Sequence, residues 1–450
     1  MEEFFFLSFF IIFLLIWLIL LKYSGVKILT ISIPSFLIIS IFVFQYLGFP
    51  ILFFFLDDYR AYYVQDRKII WEMFLWTSFS ITLIIIGFIV ARRSFGPLHL
   101  ADQYNAFTNS ITPIRFFQRL MLLILFIISV LVLVVYIFKI GWNNLAFLSA
   151  INISDQEISI EVLRSNMGNA FEGKYHWYRL FMRDFLSIAS VAFFGQWLLR
   201  KKFFSFILFI ISFLICAFSM LMAIEKAPIF WYLISLVLIY VIIRHQGRFR
   251  FKQLVKISFF GFFISGLMYV YFMNAPSLWV GIEYTFSRIF AGPIHALYHY
   301  LEIFPEKISF LWGRSFPNPG RFLPFEPFLL TLELSRMVFP QDELMGAVGS
   351  MPAFYWGEMY ANFSYLGIVI PPFFIGYFLY WLNIIIFRLP MTPLVLSFFI
   401  WIILHYKNLA VTSLSSFLID LTMFIMILFL ILFIAIPNKF KVRYFKFRNN

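Results

Sequence analysis

Eleven stretches of this chain are almost wholly apolar over the length that crosses a bilayer, and they leave little freedom in what it can fold into: 4–21, 28–49, 70–90, 119–138, 182–199, 203–223, 227–243, 257–274, 363–387, 389–405 and 412–436. About 20 apolar residues of helix span ~30 Å of hydrocarbon, where every backbone polar group must find its partner within the segment. Charged residues make up 13% of the 450, against roughly 25% in soluble domains. The expectation is an all-α polytopic integral membrane protein of about 11 transmembrane helices, folded as a single transmembrane domain over 1–450. The weakest spans are the fifth, which opens on Arg183 and Asp184, and the tenth, which contains Pro390 and Pro393. The sixty-six phenylalanines are expected to face acyl chains.

Charge orients the spans. Lys22, Lys27, 91–119, Arg200 to Lys202, 244–256, Arg388 and 439–450 fall on one side and hold twenty of the thirty-five Lys and Arg with one acid, Asp102. The other side has the remaining fifteen bases and twenty-one acids. Basic loops stay in the cytoplasm, so the N-terminus is expected outside, the C-terminus inside, and the long segments 139–181 and 275–362 outside.

The net charge of +13 therefore holds topology and meets anionic lipid heads rather than nucleic acid. The first run begins Met1-Glu2-Glu3, with no basic n-region and no small-residue cleavage site, and is expected to remain in the mature chain. Cys216, the one cysteine, allows no intramolecular disulfide or thiolate metal cluster. No Walker loop, dinucleotide fingerprint or internal repeat appears, so no cofactor is expected.

Two outward segments are large enough for chemistry. In 139–181 a possible amphipathic stretch, 151–163, precedes an aromatic patch, Asn166 to Arg179, which reads as interfacial anchors or as a sugar-stacking surface. The segment 275–362 holds recurrent arginines. A helical pattern runs from Gly281 to Phe304 with a kink at Pro293. Arg288, His295 and His299 fall on one face, and Glu302 joins it. That set suggests an interfacial helix, a general-base or substrate-contact role for one of the histidines, or a metal site, and the last lacks a further ligand. The Pro- and Gly-rich stretch Trp312 to Pro327 is a shaped loop that holds Arg314 and Arg321, and 328–339 is a surface helix with Arg336.

Arginine forks match phosphate oxygens two at a time, so Arg288, Arg314, Arg321 and Arg336 suit a phosphate-bearing substrate at the membrane. Lys226, in the short turn between the sixth and seventh spans, is either the partner of Glu225 or a further anion contact. Glu358 could cap a helix, pair with an arginine, or serve as a base. Asp57 and Asp58, beside Arg60, read as a solvated charge cluster rather than a metal site. Asn152 and Asn362 begin Asn-x-Ser sequences, which matter only in a eukaryotic secretory pathway.

The stretch Met351 to Gly367 resembles a segment of the bacterial oligosaccharide repeat-unit polymerases, the Wzy-type O-antigen and capsule polymerases. Gly357, Glu358, Tyr360, Asn362, Phe363 and Gly367 match, and Ser364 stands where that family usually has glycine. The turn at Glu225 to Ala227 and the loop Leu311 to Phe316 with Pro324 are also similar, and the resemblance covers roughly residues 200 to 390.

The resemblance implies a GT-C-like membrane glycosyltransferase, inverting and metal-independent, in the bacterial cytoplasmic membrane. It would transfer a growing glycan from undecaprenyl pyrophosphate onto the next lipid-linked repeat unit in O-antigen, lipopolysaccharide or capsule synthesis, with membrane lipids and a chain-length regulator protein as partners. Lys226, Arg288, Arg314, Arg321 and Arg336 would bind the pyrophosphate, with Tyr360 as a further substrate contact. Glu358 and His299 are the candidate catalytic bases. An O-antigen ligase-like transferase uses the same donor with another acceptor. A flippase or other transporter would need ionisable groups along the middle of several spans.

Overall fold

The computed structural model describes residues 1–55, 63–95, 111–148, 167, 175–318, 322–341, 349–418 and 420–435. The described residues are helical with no strand, and ten of their helices are long and apolar enough to span a membrane. The protein is an all-α polytopic membrane protein. Nine of these helices carry the expected runs other than the fifth and the last. The last run forms Ser415–Phe433. The fifth is not among the ten: its helix, Tyr175–Arg179 continuing through a π-turn at Leu180–Phe185 into Leu186–Arg200, carries Arg183 and Asp184 in that turn and is not apolar enough over a span's length. The proline-bearing tenth run does qualify, as Pro393–Ala410. Pro393 opens that helix, where a missing N–H costs nothing. The stretch 151–163, the Asp57-Asp58-Tyr-Arg60 cluster, Asn152 and Arg321 lie outside the described residues.

The chain divides into two compact units. The first comprises Met1–Leu100, Arg250–Trp381 and His405–Asp420. Its helices cross closely at glycine. A Cβ on Gly87 would lie 2.3 Å from the Phe373 carbonyl oxygen, and one on Gly376 would lie 2.1 Å from that of Ile84. The helices Arg67–Ser94 and Tyr355–Phe387 thus meet backbone to backbone, the usual way apolar helices associate where lipid offers no hydrophobic driving force. Many phenylalanines pack inward rather than facing lipid. Phe6 stacks on Phe53 at 4.1 Å between ring centroids and meets Phe74 at 5.0 Å and Trp71 at 5.2 Å, adding ring–ring attraction to burial.

The first part of 275–362 is not a surface excursion. Asn274, in left-handed conformation, ends the helix Phe251–Met273, and the Ser277 hydroxyl caps the helix Leu278–Phe290. The chain then runs back along the helix it has just left. Gly281 packs on Gly266, Thr285 donates a 2.9 Å hydrogen bond to Ser265, and the Phe290 ring lies 6.5 Å from that of Phe262. Phe262 is roughly 16 Å along the helix from Met273 at 1.5 Å per residue, which brings Phe290 to mid-span. The tight turn through Pro293 lies against the helix Ile33–Phe55. A Cβ on Gly48 would be 2.1 Å from the Phe290 carbonyl oxygen, and the Gln45 amide donates to the Pro293 and Ala410 carbonyls at 3.4 and 2.8 Å. From there His295–Ile303 leads out again. Buried non-helical backbone of this kind is tolerated at membrane depth because protein groups satisfy it.

The second unit comprises Ala101–Phe249, Leu382–Leu404 and Leu421–Asn450. Hydroxyl groups knit its helices together. Ser190 and Tyr232 share a 2.6 Å hydrogen bond, Ser212 donates to Ser190 at 3.2 Å, and Ser219 donates to the Met182 carbonyl at 2.9 Å. Asp184, inside the π-turn, accepts from the Trp401 indole at 2.9 Å.

Candidate functional site

Glu358 lies on the first two turns of the helix Tyr355–Phe387, which is broken at Phe363 and Ser364. The Tyr355 hydroxyl bonds to Ser80 and the Trp356 indole donates to Thr77 at 3.0 Å, which fixes this helical segment on the Arg67–Ser94 helix. Gly357 faces the helix His295–Ile303, where a Cβ would come within 3.0 Å of Leu297 and 3.2 Å of Tyr300. The chain reverses just beyond, with Gly367 so close that a Cβ there would lie 2.0 Å from the Met359 carbonyl oxygen. Gly357 to Tyr360 is therefore helix, and the turn is at 363–364.

The Glu358 carboxylate is 3% exposed and pairs with serines rather than with an arginine. Its Oε1 accepts from Ser415 Oγ at 2.5 Å and Ser315 Oγ at 3.3 Å, and its Oε2 accepts from the Ser415 amide at 2.9 Å. A carboxylate has about four acceptor sites, and protein donors engage it from the Ser415 hydroxyl and amide, the Ser315 hydroxyl and the Leu414 backbone. The arrangement suits a carboxylate that ties together the loop at 315, the helix at 358 and the turn at 415.

Asn362, fully buried, completes the network. Its Nδ2 donates to Ser315 Oγ at 2.7 Å and to the Glu358 carbonyl at 2.8 Å, and its Oδ1 accepts from the Gly313 amide at 2.8 Å. Because Ser315 accepts from Asn362, its own proton points at Glu358. Backbone bonds from Leu311 to Ala361 at 2.9 Å and from Trp312 to Asn362 at 3.1 Å zip the loop onto the helix. A side chain so enclosed is no glycosylation acceptor.

His299 is 2% exposed, and its Nδ1 lies 3.2 Å from Glu302 Oε2, while Lys307 donates to Oε1 of the same carboxylate at 2.9 Å. Partial burial disfavours the charged Glu302, but the hydrogen bonds from Lys307 and His299 outweigh it and hold the carboxyl below its usual range. An ionised Glu302 makes Nδ1 the donor and Nε2 the basic nitrogen. The metal idea fares less well. His295 Nδ1 is 2.6 Å from the Gly292 carbonyl and His299 Nδ1 is taken by Glu302. No group of three or more His, Cys, Asp or Glu among the described residues could hold a metal ion.

The arginines occupy three different elements. Arg288 is exposed in the last turn of the helix Leu278–Phe290, and the turn at 291–294 puts it on a different helix from His295 and His299. Arg314 is exposed at the loop tip, and Arg336 pairs with Glu333 at 2.9 Å on the helix Leu330–Val338. Lys226 begins the helix Lys226–His245 in the second unit. The ion pair found for Glu225 is with Arg183, at 2.7 Å. Tyr360 is not placed as a substrate contact. It is 3% exposed, its hydroxyl donates to the Phe304 carbonyl at 3.1 Å, and its ring abuts Phe310 at 5.6 Å.

Sequence reasoning missed Ser315 and Ser415. The signal for the second was the hydroxyl-rich stretch Thr412 to Ser416 at the start of the last apolar run. Comparison of the chain with protein-family models, with curated proteins and with solved structures returns no match.

Proposed function

We propose that the protein is a membrane glycosyltransferase that polymerises undecaprenyl-pyrophosphate-linked repeat units into a surface polysaccharide at the outer face of the bacterial cytoplasmic membrane, as the Wzy-type polymerases do. The observation that carries this reading is the re-entrant hairpin 278–303. One limb bears Arg288 at mid-span, where an exposed guanidinium is costly against lipid and marks a polar path or a lipid phosphate. The other bears the Glu302–His299 pair near its outer end. A substrate with a polyprenyl tail, a pyrophosphate and a glycan needs that sequence of environments.

In this mechanism the acceptor sugar hydroxyl gives its proton to His299 Nε2 as its oxygen attacks the donor's anomeric carbon. The bond from that carbon to the pyrophosphate breaks with inversion, and undecaprenyl pyrophosphate leaves. Developing charge on the leaving group is met by Arg288, Arg314 and Arg336. Glu358 positions the loop that carries Arg314 rather than taking the proton.

The test is reconstitution. Purified protein in proteoliposomes, given lipid-linked repeat units alone, should release undecaprenyl pyrophosphate and yield a ladder of longer glycans. His299→Gln should lower turnover about 10²-fold or more, the usual worth of a general base. Translocation without a ladder would sink the polymerase reading, and transfer to lipid A core alone would identify a ligase.

A further inference from the structure

The loop beside Glu358 holds a large aromatic side chain in an unfavourable backbone conformation, and nothing in the reaction above uses it. Trp312 has φ +52° and Gly313 has φ +93°. For a bulky residue the left-handed region is sterically costly, and such strain persists only where surrounding contacts impose it. Here Asn362 imposes it, since its backbone carbonyl takes the Trp312 amide and its side chain takes the Gly313 amide. The indole is nevertheless 76% exposed.

An interfacial anchor does not require this. Phe322 and Leu329 are 89% and 60% exposed and neither has a positive φ. A membrane contact tolerates any backbone that lets the ring reach the headgroups. What the strained turn does achieve is a fixed relation between the indole and Glu358, because Asn362 bonds to both segments. We propose that Trp312 is a stacking platform for a pyranose ring of the glycan. Polarised sugar C–H groups meet the negative face of the indole, and the rigid turn holds that face in a fixed relation to the helical segment of Glu358. This subsite rests on the glycan-polymerase reading above and names the part of the substrate that the loop holds.

The test uses full-length protein in nanodiscs, labelled with 5-fluorotryptophan, with Trp312→Phe assigning the Trp312 fluorine resonance among twelve tryptophans. The probe is the oligosaccharide released by mild acid from the lipid-linked repeat unit. It should shift the Trp312 resonance. Trp312→Gly and Trp312→Leu should each weaken its binding about tenfold, while Trp312→Phe stays within about threefold of wild type. Trp312→Gly should also raise the unfolding temperature, because glycine relieves the left-handed turn; a merely structural tryptophan would lower it. The proposal is overturned if the oligosaccharide does not bind wild-type protein, if it leaves the resonance unmoved, or if Trp312→Leu binds as well as wild type, as a lipid anchor would. Binding here requires no turnover. A protein that binds the sugar through Trp312 but makes no ladder keeps the subsite and loses the polymerase assignment, and one that makes a ladder with unchanged affinity in Trp312→Leu does the reverse.

Discussion

Replacing Asn362 by aspartate changes one atom of the side chain and tests the whole polar network. The Oδ1 bond from the Gly313 amide would survive. The two Nδ2 donations, 2.7 Å to Ser315 Oγ and 2.8 Å to the Glu358 carbonyl, would become contacts between acceptors. Ser315 could turn its proton to the new carboxylate only by withdrawing it from Glu358. Two lost hydrogen bonds at a fully buried position, with one carbonyl left facing negative charge, cost about 3–5 kcal/mol. Asn362→Ala loses all three bonds but adds no charge, and should cost about 2–4 kcal/mol. For 450 residues at ~2.1 cal/mol/K per residue, each kcal/mol moves the unfolding midpoint by roughly 1 °C. Thermal unfolding of the detergent-solubilised variants should therefore fall by roughly 3–5 °C for aspartate and somewhat less for alanine. If aspartate proves milder than alanine, or leaves the midpoint unchanged, the donor assignment in the network is wrong.

Three further outcomes follow from the same geometry. Gly367→Ala would drive a methyl to 2.0 Å from the Met359 backbone oxygen, and because backbone rather than a flexible side chain must yield, the loss should exceed the ~1–3 kcal/mol of ordinary overpacking and show as poor membrane expression. Ser364 adopts φ +56° and ψ −149°, a region nearly confined to glycine, so Ser364→Gly should stabilise by ~1 kcal/mol or more, read as a higher unfolding midpoint. The Glu302 carboxyl is held below its usual value of 4.5, so its contribution is present above that value and lost as pH falls through the lower folded value. Acid titration of the unfolding midpoint should show that decline, and Glu302→Gln should flatten it.

Ser364 also shows how local geometry can be read from a pattern. Its place two residues after Asn362 and three before Gly367 marks a break in the helix, and its backbone takes a conformation that favours glycine. Gly367 likewise marks a backbone contact. Glu358 and His299 were identifiable as buried or membrane-proximal ionisable residues, but their partners were not, because Ser415 is 57 residues from Glu358 and only packing joins them. Tyr360 looked like a substrate contact in a polar motif and is a strut, since its hydroxyl is spent on the Phe304 carbonyl.

The sequence by itself determined the class and most of the spans. Apolar length is a local property, and in lipid a helix satisfies its own hydrogen bonds wherever its neighbours lie. It also indicated which residue types could meet a phosphate. Only the tertiary structure decided that Leu278–Phe290 runs back along Phe251–Met273. A thirteen-residue amphipathic helix reads the same on a surface as in a re-entrant hairpin, and the choice depends on two glycines, Gly266 and Gly281, meeting backbone to backbone.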